Sequence, residues 1–262
     1  MVNDNLNGEI IQNYSELHDV ISSYLRECCL VTHFPVKGNV YHEQSVKLLL
    51  VGRALNGWTH KSEFDGAFPY EKLPDRSEYA ETGTRAVCEK NRYAFFEENK
   101  KENYDTVARS AFWRTTRTVS RVLIGFPEDE ENWYERIAWA NLFPVAPSEG
   151  GNPSGKLISS QRSVAKKILK TTIDAYQPTH ILFETGWDYW MYYRKNSKNK
   201  NAQYECMLDG IPKSDIRKIS GIKGTVLWYG RIGDSKIVIA IRPERKDEEK
   251  YAEEVLKAFY KL

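Results

Sequence analysis

The order of apolar and polar residues predicts helices that alternate with short strands. Apolar positions at helical spacing predict a helix within residues 10–30. Residues 46–51 form an apolar run broken only by Lys47, which predicts a short buried strand ending at Gly52. Residues 57–105 are rich in Gly, Pro, Asp, Tyr and Phe and predict a long irregular segment. So long a loop in a compact domain usually carries function.

The second half of the chain continues this alternation. Helical spacing predicts helices at 109–124 and 247–260, and another that Ser159 or Ser160 would cap. Apolar runs predict strands at 136–143, 179–184, 225–230 and 236–241. Helices between single apolar strands are typical of a mostly parallel sheet covered on both faces. We therefore predict an α/β fold, a three-layer α/β/α sandwich, as one domain over 1–262 with 1–45 as a helical extension.

The ends of the predicted strands indicate where a ligand would bind. In open parallel sheets the ligand site lies beyond the carboxyl ends of the strands. Segments 52–58, 141–147 and 242–245 each follow a predicted strand, and 184–187 follows another. We therefore expect these segments to meet around one site.

Charge and composition restrict the possible functions. The chain carries 38 Lys and Arg against 36 Asp and Glu, which excludes a polycation and an acidic disordered tail. Segments 106–126 and 153–170 contain four and five basic residues and no acid, while 194–223 contains eight basic residues and three acids. Such segregation favours a basic face and a polyanionic partner, although solvated helix faces are the alternative. The candidate phosphate contacts are Arg114, Arg117, Lys156, Arg245 and Lys246.

Other classes of site have little support in the sequence. The four Cys have no zinc-like spacing and are expected to be reduced thiols in a cytoplasmic protein. No apolar run reaches the roughly 18 residues of a membrane span, so no membrane association is expected. We expect no metal and no cofactor.

Five segments, taken in order, carry a family resemblance. They are the turn 52–57 (GRALNG), the helix start 109–114 (RSAFWR), the strand end 141–144 (NLFP), the strand 181–186 (ILFETG) and the closing 242–244 (RPE). Together they resemble the uracil-DNA glycosylase superfamily, and most of all its single-strand-selective and mismatch-specific branches. The resemblance spans about residues 46–258 and rests on order and strand-end residues.

The resemblance implies roles for individual residues. Asn56 would hold the hydrolytic water, and Asn141 would read the flipped base. Arg242 stands where the family has His and, being permanently charged, would stabilise the departing base. The other residues expected to contact the substrate are Gly52, Arg53, Gly57, Trp58, Phe68, Phe143 and Glu184.

The sequence departs from the family pattern at two of these places. The first turn lacks the family's Gly-x-Asn-Pro-Gly pattern: Ala54 occupies the catalytic position, and Asn56 lies two positions later. The second departure is the absence of the closing His, where this chain has Arg242, and it puts excision of plain uracil in doubt. Simpler roles are also open: Asn56 and Gly57 could only form a turn, and Arg242 could pair with Glu244 or Glu184.

From these residues we expect a monofunctional DNA glycosylase. It would flip a non-standard, modified pyrimidine out of single- or double-stranded DNA and leave an abasic site. Phage DNA is a possible substrate, which would give the protein a role in antiviral defence, and we expect a monomer. The alternative is a non-catalytic nucleic-acid-binding protein on the same scaffold, with Ala54 as its best support.

Overall fold

The computed structural model describes residues 4–23, 30–54, 67–69, 75–88, 110–147, 151–186, 191–192, 205–211, 215 and 224–262. The helices are α1 Asp4–Ser22, α2 Arg76–Cys88, α3 Ala111–Ile124, α4 Gly155–Tyr176 and α5 Glu248–Tyr260. The strands are β1 Leu30–His33, β2 Val36–Lys37, β3 Leu48–Gly52, β4 Ala67–Pro69, β5 Ala138–Asn141, β6 Val145–Pro147, β7 His180–Glu184, β8 Met191–Tyr192, β9 Glu205–Cys206, β10 Val226–Ile232 and β11 Ser235–Ala240. Short 3-10 turns lie at Tyr41–Glu43 and Trp133–Arg136.

The central sheet has six strands in the order β10-β11-β7-β3-β5-β2. The four inner strands, β11, β7, β3 and β5, run parallel to one another, and the two edge strands pair antiparallel. The prediction of a mixed α/β fold with a mostly parallel sheet is therefore confirmed. Because the inner strands share one direction, Gly52, Asn141, Glu184 and Ala240 all lie at the same edge of the sheet.

Two hydrophobic clusters cover the two faces of this sheet. Along β3, Leu49 and Val51 belong to the cluster that also contains buried residues of α1, α2 and α4. Leu48 and Leu50 belong to the cluster that contains buried residues of α3 and α5. This alternation is the period-2 pattern of a strand buried on both faces. Each strand of the centre thus contributes to both cores.

A small three-stranded sheet, in the order β4-β1-β6, joins the segments that follow β3 and β5. Strand β1 pairs antiparallel with both neighbours. Since β6 begins four residues after Asn141, this pairing fixes the segment that leaves β5. The backbone N–H of His33 also donates to the carbonyl of Pro144 at 2.7 Å.

The predicted irregular segment 57–105 contains a helix, α2, and a strand, β4, and this part of the prediction was wrong. Helix α2 packs on α1, where a Cβ on Gly83 would lie 2.3 Å from the ring of Tyr14. Among the side chains of α2 that the structure describes, the buried apolar ones are Tyr79, Ala80 and Val87. The apolar stripe is therefore too sparse to reveal the helix in the sequence.

Two further expectations need correction. The segment 1–45 is not only helical, because it also supplies β1 and the edge strand β2 of the central sheet. Helix α4 begins earlier than expected: Ser154 is its N-cap and accepts a hydrogen bond from the N–H of Leu157 at 3.2 Å. Ser159 lies inside the helix and donates to the carbonyl of Gly155.

The first helix is confirmed with different bounds, because it begins six residues before the predicted range and ends at Ser22, and Leu30 already belongs to β1. The other predicted elements are confirmed with shifts of about two residues at their ends. Within the described ranges, no helix is both long enough and apolar enough to span a bilayer.

Candidate functional site

At the carboxyl edge of the central sheet, Gly52 has no side chain and leaves a gap between the side chains of the neighbouring strands. In the register of the sheet, Gly52 lies opposite Asn141 on β5, and the preceding residue Val51 lies opposite Phe183 on β7. Glu184 therefore flanks Gly52 on its other side. A Cβ on Gly52 would lie 2.6 Å from Oδ1 of Asn141, 3.5 Å from Cζ of Phe112 and 3.6 Å from Nε1 of Trp139. We call the space bounded by Gly52 and these three side chains the Gly52 notch.

Asn141 is the polar residue of the notch. It is 8 % exposed, and its Nδ2 makes no hydrogen bond within the described ranges. The following backbone is held in place, since the N–H groups of Leu142 and Phe143 donate to the carbonyls of Gly52 and Arg53. A buried N–H group without an acceptor costs about 1–3 kcal/mol. A ligand with an acceptor atom at this point would remove that cost.

Aromatic side chains wall the notch on the α3 side. Phe112 and Trp113 begin α3, and the ring of Trp113 packs edge-on against that of Trp139 at a centroid distance of 4.8 Å. The ring of Phe112 is only partly buried. Phe112 packs against the core cluster on this face of the sheet and also borders the notch.

His33 is a site residue that sequence reasoning missed. Its ring lies 4.1 Å from that of Trp139, and neither ring nitrogen has a hydrogen-bond partner in the described part of the chain. Burial lowers the pKa of His33 to about 3, so the imidazole is neutral at physiological pH. Residue 33 is far from residue 139 in the sequence, and the pairing of β1 with β6 and of β2 with β5 brings the two together.

Glu184 is a buried carboxyl on the same face of the sheet. Its oxygens lie 3.3 Å and 3.4 Å from the hydroxyls of Thr115 and Thr116 on α3. Burial raises the pKa of Glu184 to about 8, with Tyr251 of α5 as a further hydrogen-bond partner. The hydroxyls of Thr115 and Thr116 donate to these oxygens, which lowers the pKa and offsets part of the rise that burial causes. Glu184 is thus a protonated, neutral carboxylic acid in contact with both α3 and α5.

Arg53 links two of the strand-end segments. Its Nε donates to the carbonyl of Thr185, and a Cβ on Gly186 would lie 2.8 Å from a terminal nitrogen of the guanidinium. Gly186 also has a positive φ of 68°, a conformation that glycine adopts without strain. Arg53 therefore fixes the turn after β3 against the turn after β7.

Three of the predicted cationic residues are engaged with acceptors of the chain itself. Arg242 forms an ion pair with Glu244. Arg114 donates to Glu248, with Nε 2.8 Å from Oε2, and this hydrogen bond raises the pKa of Arg114. Arg117 donates to the carbonyl of Glu128 at 2.6 Å. Their charge is thus partly compensated within the fold.

The other predicted phosphate contacts are exposed at the carboxyl edge of the sheet. Lys156 lies in the first turn of α4, while Arg245 and Lys246 lie between β11 and α5. Arg245 has a φ of 61°, which is uncommon for a residue with a side chain. These three cations therefore lie on the side of the molecule to which the notch belongs.

Some expected site residues fall elsewhere. Asn56, Gly57 and Trp58 lie outside the described residues, and only the backbone of Phe68 is described, within β4. Phe143 is fully buried in the cluster on the opposite face, where the guanidinium of Arg162 lies 5.4 Å from its ring centroid. Phe143 therefore does not line the notch.

The fold and the site together define a class. This is a mixed α/β protein with a mostly parallel six-stranded sheet and, at the carboxyl ends of its central strands, a notch with an amide and aromatic walls. Comparison of the sequence with protein-family models and with curated proteins gives no match to either.

Proposed function

We propose that the protein is a DNA glycosylase that extrudes a modified pyrimidine and hydrolyses its N-glycosidic bond. The observation that carries the proposal is Asn141, whose side-chain oxygen borders the notch beside Gly52 and whose buried amide N–H group has no acceptor in the described ranges. An amide beside a side-chain-free position suits a planar heterocycle with a carbonyl oxygen or ring nitrogen.

The aromatic walls support the same kind of ligand. A flipped base gains about 1–3 kcal/mol from stacking on an aromatic side chain, and this offsets part of the cost of unstacking it from DNA. Phe112 is partly exposed and in contact with the notch, so it is the described residue best suited to stack on the base.

The proposed reaction consumes one water. The bond from C1′ of the sugar to the base nitrogen breaks, and its electron pair leaves with the base. The water oxygen bonds to C1′ and releases a proton, while the base takes up a proton, so that free base and an abasic sugar result. Because the base becomes negative as the bond breaks, the donor on Asn141 binds it more strongly in the transition state than in the ground state.

The proposal also includes a more specific classification of the fold. A three-layer sandwich of the uracil-DNA glycosylase type has helices on both faces of a parallel sheet and a base pocket at the strand ends. The helical clusters on the two faces and the position of the notch support that assignment. Lys156, Arg245 and Lys246 supply positive charge at the same edge, where phosphates would lie.

The test uses duplex and single-stranded oligonucleotides that carry one uracil, 5-hydroxymethylcytosine or glucosylated hydroxymethylcytosine. After incubation with the protein, alkali cleaves the strand wherever an abasic site has formed. We expect cleavage at one of the modified cytosines that depends on the protein. Intact strands for every base in both forms would refute the proposal.

A non-catalytic nucleic-acid-binding protein is the second candidate. The ion pair of Arg242 with Glu244 favours it, because that pair reduces the charge available to a departing base. Binding without abasic product, with affinity that falls steeply as salt rises, would support this candidate over the first.

A further inference from the structure

A second buried group, His33, lies against Trp139 and has no hydrogen-bond partner for its ring among the described residues. His33 is 6 % exposed, and its ring packs against Trp139, whose Nε1 borders the notch. The backbone of His33 is anchored, because its N–H donates to Pro144 in the segment that follows Asn141. The imidazole thus has a fixed position next to the candidate base site.

The chemistry of this imidazole is restricted by its surroundings. Burial alone keeps the ring neutral, so one nitrogen carries a hydrogen and the other carries a lone pair. Neither nitrogen is satisfied within the described residues. A buried histidine in a purely structural role usually bonds a carbonyl, a hydroxyl or a carboxylate. A ligand group that both accepts and donates a hydrogen bond, such as a hydroxyl, would satisfy this ring.

We propose that His33 is a specificity-determining residue that hydrogen-bonds a hydroxyl-bearing substituent of the base held by Asn141. This inference rests on the proposed function and adds to it the class of substrate. A methyl substituent neither donates nor accepts, and it leaves the imidazole unsatisfied. The site therefore favours a hydroxymethylated pyrimidine over its methylated counterpart.

The test compares 5-hydroxymethylcytosine with 5-methylcytosine, which differ by one oxygen atom. Binding of the two free bases is measured by calorimetry, and excision of each from DNA is measured by release of the base. The natural protein is expected to prefer the hydroxylated base by about tenfold or more in both measurements. His33→Phe retains an aromatic ring and removes both hydrogen bonds, so it is expected to abolish this preference. His33→Asn, which keeps one donor and one acceptor, is expected to restore part of it.

His180 provides the matched control. It is a partly buried histidine at the amino end of β7, where its Nδ1 is 3.0 Å from the hydroxyl of Thr179. His180→Phe is expected to leave the preference intact. The melting temperature separates the two roles further: loss of unsatisfied polar atoms is expected to leave that of His33→Phe unchanged or raised, whereas a structural histidine would lower it.

The outcomes of this test distinguish the role of His33 from the proposed glycosylase activity. Excision with an unchanged preference in His33→Phe would overturn the role of His33 and leave the glycosylase proposal standing. Binding of the hydroxylated base with a preference that His33→Phe abolishes, but without its excision, would support His33 and count against hydroxymethylcytosine as the excised base. If neither base binds, the role of His33 is overturned, and the oligonucleotide test above decides on catalysis.

Discussion

The side chains around Gly52 show how a single residue can create a site. Asn141 and Glu184 lie on either side of a strand position that carries no side chain. Replacement of Gly52 by Ala would put a Cβ 2.6 Å from Oδ1 of Asn141. Real Cβ atoms do not approach so closely, so the amide must move.

Gly52→Ala is therefore expected to lower the free energy of unfolding by about 1–3 kcal/mol, as overpacking of a core does. It is also expected to abolish base excision. Gly8→Ala in α1 is the control, because a Cβ there meets nothing within 4 Å and improves helix propensity by about 0.5–1 kcal/mol. Chemical denaturation measures the stability of the two variants, and release of free base measures their activity. A Gly52→Ala protein as stable and active as the natural one would show that no notch exists.

Glu184 provides a prediction about pH. Its pKa is raised from 4.5 to about 8, so the folded protein keeps a proton that the unfolded chain has lost. The free energy of unfolding is therefore expected to fall as pH rises between these two values and to level off above them. The total effect of this one group is on the order of a few kcal/mol.

Glu184→Gln keeps the shape and stays neutral, so it is expected to be more stable than the natural protein at pH 8 and nearly equal to it at pH 5. Urea denaturation at the two pH values makes the comparison. Glu254 is the control with the opposite sign: a hydrogen bond from Thr225 lowers its pKa, so Glu254→Gln is expected to lose stability at neutral pH. An unchanged pH slope in Glu184→Gln would contradict the neutral form of Glu184.

At the level of elements, the N-terminus of α4 shows most clearly how one side chain stabilises the start of a helix. The sequence predicts Ser159 or Ser160 as the cap, whereas the side chain of Ser154 accepts a hydrogen bond from the backbone N–H of Leu157 in the first turn. Ser154→Ala is expected to reduce the free energy of unfolding by about 0.5–2 kcal/mol. Ser159→Ala is expected to change it little or raise it slightly, since Ala has the higher helix propensity. Equal losses in the two variants, measured by urea denaturation, would show that the helix begins elsewhere.

The elements that the sequence predicted well are those with dense apolar patterns. The strands β3, β7 and β11 are continuous apolar runs, and each was predicted to within two residues. Helix α2 and strand β1 were missed because their stability comes from partners. Gly83 is needed for close contact with Tyr14, and β1 acquires its role only by pairing with β4 and β6. Propensity alone does not contain such contacts.

The sequence also predicted part of the candidate site. Gly52, Asn141 and Glu184 follow from one rule, because the ends of parallel strands meet at one edge. His33 and Phe112 do not follow from it, since His33 joins through a second sheet and Phe112 resembles a core residue of an amphipathic helix. Phe143 was misplaced because the chain bends directly after β5, and its ring packs in the cluster on the opposite face of the sheet.

On the scale of the whole molecule, the proposed function predicts that the charge at the carboxyl edge of the sheet sets the affinity for DNA. Lys156 lies at the start of α4, whereas Lys170 lies about 20 Å further along the same helix and pairs with Asp174 at 2.7 Å. Lys156→Gln is expected to weaken DNA binding for all sequences alike. It is also expected to reduce the slope of log affinity against log salt by about 1.

Lys170→Gln is the control and is expected to leave both quantities unchanged. Fluorescence anisotropy with labelled DNA at several salt concentrations measures them. Equal effects of the two substitutions would show that DNA does not bind at this edge.

The account depends most on the amide of Asn141, and the direct measurement is the rate at which free base appears, by mass spectrometry, under single-turnover conditions. The comparison is between the natural protein, Asn141→Ala and Asn13→Ala, the last of which removes a buried amide of α1 on the opposite face of the sheet. We predict that Asn141→Ala slows base release about 100-fold or more, as loss of a transition-state donor does, while Asn13→Ala does not. Equal rates for the natural protein and Asn141→Ala would contradict the account.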